Sequence, residues 1–273
     1  MKNMQKKTNS KTNRLGRFMN HLLNFLFPKN IKCIFCSAEL NENSKYSICE
    51  DCFNSLPFIK HSCPKCSAPI SENNQGVCQN CKINNYSFKR AFAVLEYDEM
   101  LAGFVHKMKY GGAKYVIEPI SNFLINKLST ISENFDYITY VPMFKKKEKI
   151  RGYNQSKVLA EIVADKTGIP LIPFVTKPKD NLNQASLDYK SRKENVKDAY
   201  SFDKEFKEII KGKTILIIDD ILTTGSTSNE ISKLLLSNGA KSSYVLVLCH
   251  GKYEPIPTDA TSNQIPSMDK IQN

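Results

Sequence analysis

The sequence predicts an α/β domain built on a mostly parallel sheet with helices on both faces, preceded by a small module that holds two zinc ions, four cysteines per ion. Three observations carry this expectation. Between residues 88 and 251 short apolar runs alternate with amphipathic stretches, the pattern of strands joined by crossover helices. Eight of the nine cysteines fall between residues 33 and 81, as four Cys-x-x-Cys pairs. The apolar run 215–218 ends in two carboxylates, followed by a loop of Thr, Gly and Ser that opens a helix.

The chain divides into a basic leader at 1–27, a double zinc-finger module at 28–85, the α/β domain at 88–251 and a tail at 252–273. Residues 1–32 carry Lys2, Lys6, Lys7, Lys11, Arg14, Arg17, Lys29 and Lys32 without an Asp or Glu, so +8 of the net +12 lies there. The leader does not read as a secretory signal: Asn24 interrupts its apolar run, no small-residue cleavage site follows, and Pro28 leads into the cysteine motif. No stretch approaches the roughly 20 apolar residues of a membrane span. The expected location is the cytoplasm. A basic, partly amphipathic leader suits peripheral contact with an anionic membrane or with nucleic acid; a frayed tail with a short helix on the zinc module is the plainer alternative. The segment 252–273, with Pro255, Pro257 and Pro266 among polar residues, buries too little apolar area to fold and is expected to be disordered.

The cysteine pairs are Cys33/Cys36, Cys49/Cys52, Cys63/Cys66 and Cys78/Cys81, separated by twelve, ten and eleven residues. Each pair presents two thiolates to one tetrahedral ion, and two pairs close a four-cysteine structural zinc site. A disulfide framework fits poorly with a chain lacking a secretion signal. Local spacing favours sequential sites, 33/36/49/52 and 63/66/78/81, over a cross-braced pairing of 33/36 with 63/66. The two halves form the one internal repeat. Cys249 stands apart in an apolar run and reads as a buried core thiol.

In the α/β region the candidate strands are 92–97, 137–141, 171–175, 214–219 and 243–249. The candidate helices are 101–110, 115–131, 155–166 and 226–237. The last is clearest, with Ile231, Leu234 and Leu235 on one face and Gly239 just past its end.

The segment 214–227 carries the chemistry. In open α/β sheets ligands bind at the carboxyl ends of strands, and anions are favoured where backbone N–H groups converge at a helix N-terminus. Thr223, Thr224, Gly225, Ser226 and Thr227 supply hydroxyls, free amides and a close approach, which together make a phosphate cradle. Asp219 and Asp220 stand beside it, where a ribose would display its diol and where Mg²⁺ finds hard oxygen donors. No Gly-Lys-[Ser/Thr] is present, so this is not a Walker loop. Lys107, Lys109 and Tyr110 before Gly111-Gly112 form a basic stretch that would approach a diphosphate or a nucleic-acid backbone, with a solvated helix face as the plain alternative.

The segment resembles the phosphoribosyl diphosphate (PRPP) signature of type I phosphoribosyltransferases. Further motifs narrow it: Val141-Pro142, Arg151-Gly152-Tyr153-Asn154-Gln155 with Leu159-Ala160, then Gln184, Leu187, Arg192, Asn195, Val196 and Tyr200, and the Leu-Leu-x-x-Leu-Phe-Pro stretch from Leu22 into the first Cys-x-x-Cys. Over about residues 20 to 250 the chain is similar to the ComF family of competence proteins. The resemblance implies a type I phosphoribosyltransferase fold and a role in handling DNA during natural transformation. It implies that Asp219 and Asp220 are the catalytic-site carboxylates, holding the ribose diol, and that Thr223 to Thr227 hold the 5′-phosphate. The loop with Lys145 would meet the diphosphate, clamped by Arg151 and Arg192. Two structural zinc ions, and Mg²⁺ with PRPP, are the expected cofactors. Expected partners are PRPP or another phosphoribosyl ligand, single-stranded DNA, and DNA-uptake or recombination proteins.

One departure bears on mechanism. Purine-salvage members of the superfamily carry an acid where Thr223 stands, and a threonine is no base at neutral pH. Transferase chemistry is therefore left undecided. The alternatives are a zinc-containing single-strand DNA-binding protein or adaptor whose phosphoribosyl site is a sensor, and a phosphoribosyltransferase of nucleotide metabolism. Phe35, Phe53 and Phe58 near the cysteines would serve strand stacking, unless they form the small core of the module.

Overall fold

The computed structural model describes residues 32–41, 44–73, 76–110, 114–178 and 199–251. The expectations for the leader, for Gly111-Gly112, for Gln184, Leu187, Arg192, Asn195 and Val196, and for the tail lie outside the described residues. The cysteine module contains two short helices, α1 (Glu50–Asn54) and α2 (Gln79–Ile83). There follow β1 (Arg90–Glu96), α3 (Glu99–Tyr110), α4 (Ile117–Ser129), β2 (Tyr137–Tyr140), α5 (Lys145–Arg151), α6 (Gln155–Thr167), β3 (Val175–Thr176), β4 (Ser201–Phe202), β5 (Thr214–Leu222), α7 (Ser226–Ser237) and β6 (Ser242–His250).

The main sheet runs β1-β6-β5-β2, with every pairing parallel. Its central strands are long apolar runs because a parallel sheet is covered on both faces; all nine residues of β6 are buried. The side chains of β5 alternate between two cores. Leu216 and Ile218 pack with Leu101, Leu124 and Leu159 from α3, α4 and α6. Ile215 and Ile217 pack with Ile231 and Leu235 from α7 on the other face. Gly239, at φ +104, lies just past the C-cap residue of α7 as expected.

Segment 171–175 departs from the expected sheet strand. Leu171 makes a single parallel bridge to Ile138, and only Val175–Thr176 pairs, antiparallel, with Ser201–Phe202 in a separate small sheet. Ile138 N–H donates to Pro170 O at 2.8 Å and Ile138 O accepts from Ile172 N–H at 2.9 Å, but Phe174 N–H then turns back to Ile172 O at 3.0 Å and Pro170 has no N–H to extend the ladder the other way. The short helix α5 is an element that sequence periodicity missed. Among the described residues no helix is long and apolar enough to cross a membrane.

The cysteine module wraps the outer edge of β1. The N–H groups of Ala91 and Glu96 donate to the carbonyls of Lys65 and Pro57, both at 2.8 Å, and Ile59 N–H donates to Val94 O at 3.1 Å. Ala93 N–H donates to Ser67 Oγ at 3.0 Å. The first half of the module, through Ile34, Ile48 and Leu56, joins the core on the α3/α4 face. The second half, through Ala68, Tyr86 and Phe88, joins the core on the α7 face.

Candidate functional site

β5 ends at Leu222, Thr223 and Thr224 turn the chain, and α7 starts at Ser226. Gly225 caps the helix in the left-handed region, φ +72, with no side-chain cap. The first N–H groups of α7 therefore have no intrahelical partner, and the positive end of the helix dipole faces the loop. The hydroxyls of Thr224 and Ser226 lie 2.9 Å apart, and Ser226 N–H donates to Thr224 Oγ1 at 3.3 Å. Thr227 hydrogen-bonds Tyr200, whose phenol is pushed up by burial and then by the charge of Asp219. Thr223 is exposed, with its methyl group close above Gly251, where an added Cβ would come within 2.9 Å.

Asp219 and Asp220 lie within β5, only 9% and 5% exposed. Two adjacent buried carboxylates would repel, and each has different partners. Asp220 Oδ2 sits 2.8 Å from Lys109 Nζ and 3.5 Å from Gln155 Nε2. Asp219 Oδ1 accepts from Ser156 Oγ at 2.7 Å and from the Asp220 N–H at 3.0 Å. Burial would push Asp220 up, but the Lys109 ammonium, by charge and hydrogen bond, holds it below the usual carboxylate range. Burial, and then the charge of Asp220, push Asp219 well above that range. Lys109, which burial alone would push down, is held above its ordinary value by Asp220. The pair is thus asymmetric: Lys109 favours the charged form of Asp220, while burial beside Asp220 disfavours the charged form of Asp219.

Neighbouring elements fix this arrangement. Asn154 caps α6, its Oδ1 accepting from Ser156 N–H at 3.0 Å and Lys157 N–H at 3.4 Å. Its Nδ2 donates to Val141 O at 3.0 Å, tying the helix start to the end of β2. Gln155 and Ser156, in the first turn, are thereby aimed at the carboxylates. Arg151 reaches the pair through Gln155, with Nη1 2.6 Å from Oε1, and its guanidinium lies over the Tyr110 ring at 5.0 Å. The Tyr153 hydroxyl donates to the Met108 carbonyl, fastening the end of α3 to the α5–α6 turn. Lys145 is exposed at the first position of α5. Of the residues singled out from the sequence, Asp219, Asp220, Arg151 and the loop 223–227 are brought together; Arg192 lies outside the described residues.

Sequence reasoning left Lys109 between a ligand contact and a solvated face, and gave no role to Ser156. The available signal was position: Lys109 follows buried Val105 by one helical turn and adjoins buried Met108, so it lies on the core side of α3.

The cysteines form two clusters, Cys33, Cys36, Cys49, Cys52 and Cys63, Cys66, Cys78, Cys81, each with its sulfurs within 4.8 Å of one another. The sequential pairing is the one formed. A zinc tetrahedron with bonds of about 2.3 Å has edges of about 3.8 Å. The Sγ separations are 3.7 Å for Cys36–Cys49, 3.8 Å for Cys63–Cys81 and 3.5 Å for Cys66–Cys78, so the donor set fits zinc. The repeat is visible in the backbone. In each half the first cysteine accepts from a serine N–H at 2.9 Å and donates to an alanine carbonyl at 2.8 Å, with Ser37 and Ser67 left-handed at φ 63 and 65. In each half the third cysteine is the N-cap of the following short helix. His61 is exposed and outside both clusters. Phe35 and Phe53 pack against the core beside the first site, Phe35 stacking on Phe104 at 4.6 Å and Phe53 on Phe123 at 6.3 Å, while Phe58 is exposed and meets the edge of the same cluster at Phe123, 5.7 Å away.

Comparison with known proteins agrees with this architecture. A double zinc ribbon domain matches residues 22–82, and a phosphoribosyl transferase domain matches residues 154–272. The chain is similar to the DNA utilization protein YhgH of Salmonella typhimurium, 28% identical over 80% of this chain and 96% of that protein. It is similar to competence protein F of Haemophilus influenzae, 27% identical over 81% of this chain and 96% of that protein. Competence protein ComFC of Bacillus subtilis is 24% identical over 77% of this chain and 91% of its own length. The resemblance to ComF proteins is thus carried by homologues across most of the chain, and the fold is a type I phosphoribosyltransferase-like domain behind a double zinc ribbon.

Proposed function

We propose that the chain binds a 5′-phosphoribosyl compound, PRPP with Mg²⁺ foremost, and that this site serves the handling of incoming DNA during natural transformation. The observation that carries the reading is the buried Asp219–Asp220 pair leading directly into the Gly225-capped start of α7. The amides and hydroxyls of Thr223 to Thr227 take the 5′-phosphate. The two carboxylates accept from the 2′ and 3′ hydroxyls. Arg151, with Lys145 and Arg192, neutralises the diphosphate. The carboxylate oxygens and a diphosphate are fitting donors for Mg²⁺, which when bound offsets the charge of the leaving group. Thr223 gives the site no general base, so transfer to an acceptor would rest on positioning and electrostatics. The names of the relatives support the assignment to competence.

Calorimetric titration of PRPP with Mg²⁺ into the wild type and an Asp219→Asn/Asp220→Asn variant tests the reading. Binding heat in the first and none in the second is expected; silence in the wild type sinks it.

A second reading, single-strand binding, is favoured by one surface. Tyr110 and Tyr115 are both 66% exposed, with Arg151 over one ring at 5.0 Å and Lys107 over the other at 5.9 Å. The adjoining α5 adds Lys145, Lys146, Lys147 and Lys149 against one acid, Glu148. Stacking rings amid cations suit a nucleic-acid strand. On this reading oligo(dT) affinity falls steeply with salt, and Tyr110→Ala weakens it about tenfold. An affinity indifferent to salt and to Tyr110 removes this surface from consideration.

A further inference from the structure

We infer that Tyr86 is a positioning residue of the phosphate loop, through which the second zinc ribbon, and not the first, sets the loop's geometry. The ligand in this inference rests on the phosphoribosyl reading; the mechanics rest on contacts alone. Tyr86 lies between the last cysteine and β1. Its hydroxyl donates to the Thr224 carbonyl at 2.6 Å and accepts from Asn80 Nδ2 at 2.7 Å. Asn80 is 3% exposed and precedes the zinc ligand Cys81 in α2. The Tyr86 ring lies against Gly225, where an added Cβ would stand 3.0 Å from Cε1, and stacks on Phe88 at 4.8 Å. The next residue holds the other side of the loop: Ser87 N–H donates to Asn229 Oδ1 at 2.7 Å, in the first turn of α7.

The Thr224 carbonyl and the Gly225 N–H belong to one planar trans peptide, so they point in opposite directions. Pinning the carbonyl to Tyr86 therefore fixes the direction of the Gly225 N–H, one of the donors that open the cradle. The first ribbon makes its connections elsewhere. Lys107 Nζ donates to Ile34 O at 3.3 Å and Asn126 Nδ2 to the Tyr46 hydroxyl at 3.1 Å, both on the α3/α4 side.

Tyr86→Phe keeps the ring on Gly225 and removes only the hydroxyl; Asn126→Ala cuts one of the first ribbon's two links as a control. Hydrogen exchange of peptides spanning 222–232 is measured on the zinc-loaded full chain without ligand, together with zinc content. In Tyr86→Phe the zinc content holds, exchange across 222–232 speeds up about fivefold, and β6 is unchanged. In Asn126→Ala the loop exchanges at the wild-type rate. Affinity for ribose 5-phosphate falls about fivefold in Tyr86→Phe alone. If Tyr86→Phe does not fold, Asn80→Ala reads the same relay. A wild type that binds neither ribose 5-phosphate nor PRPP removes the phosphoribosyl reading and leaves exchange to decide the role of Tyr86. Unchanged loop exchange in Tyr86→Phe, or equal acceleration in Asn126→Ala, overturns the inference.

Discussion

Lys109 Nζ lies 2.8 Å from Asp220 Oδ2, an ion pair that joins the last turn of α3 to a central strand of the sheet. Removing one partner of such a pair leaves the other charge buried and uncompensated. Lys109→Met should therefore cost about 1–3 kcal/mol at pH 7. The sign with pH follows from Asp220, which is held below its ordinary 3.8. Its contribution is present above that value and is lost as pH falls through the depressed one. Without the lysine the carboxyl takes a proton more readily, so the gap between variant and wild type narrows towards pH 4. Thermal melts at pH 7, 5.5 and 4 read this directly; a gap independent of pH would show that Lys109 does not govern Asp220.

Asp219 has the opposite sign. Burial and the neighbouring Asp220 raise it, so its favourable contribution is complete below about pH 3.8 and is lost as pH rises through the raised value. At pH 7, above its ordinary 3.8, the raised group is a net cost in either protonation state. Asp219→Asn, which keeps an oxygen for the Ser156 hydroxyl, should gain about 1 kcal/mol and raise Tm by about 2–4 °C, while weakening PRPP binding. Stability given up at a site that works is the usual trade. A Tm at pH 7 below that of the wild type contradicts this.

Two left-handed glycines separate strain from crowding. Gly152, at φ +87, has nothing within 4 Å of an added Cβ, whereas Gly225, at φ +72, meets the Tyr86 ring at 3.0 Å. Gly152→Ala should cost about 1 kcal/mol from the backbone alone. Gly225→Ala should cost about 1–3 kcal/mol more, because the packed ring must shift. Chemical denaturation of both variants gives the difference; equal losses would mean that Tyr86 yields freely.

Much of this was legible beforehand, and for physical reasons. The buried run of β5, the acid pair and the Thr-Gly loop are contiguous, so one stretch of chain announces the strand, the turn and the helix start that the structure forms. The cysteine spacings matched tetrahedral geometry, and local loops favoured the sequential pairing that forms. What sequence could not give were contacts between distant segments. Lys109 and Asp220 stand more than a hundred residues apart, as do Tyr86 and Thr224, and no periodicity marks such pairs. The expected strand at 171–175 is an apolar run that stops after one bridge, because Phe174 N–H turns back to Ile172 O and Pro170 has no N–H to extend the ladder, and hydrophobic pattern does not mark such a local bond.

Metal content tests the module. Reduced protein should hold two zinc ions per chain, one for each four-cysteine cluster. Stripping them with a strong chelator should lower Tm by more than about 10 °C, since structural zinc binding is folding energy. Fewer than two ions in a thiol-reduced preparation would count against one of the clusters.

The path of residues 57–67 along β1 has a consequence for the life of the protein in a cell. That segment is the only chain satisfying the outer row of β1 amides among the described residues, and its course is held by a cysteine cluster at each end. A chain made when zinc is scarce keeps its α/β sequence but exposes a strand edge and two apolar faces that invite a second copy. Its expected failure is then self-association rather than an idle monomer, so the metal guards the protein against its own second copy as much as it shapes the module.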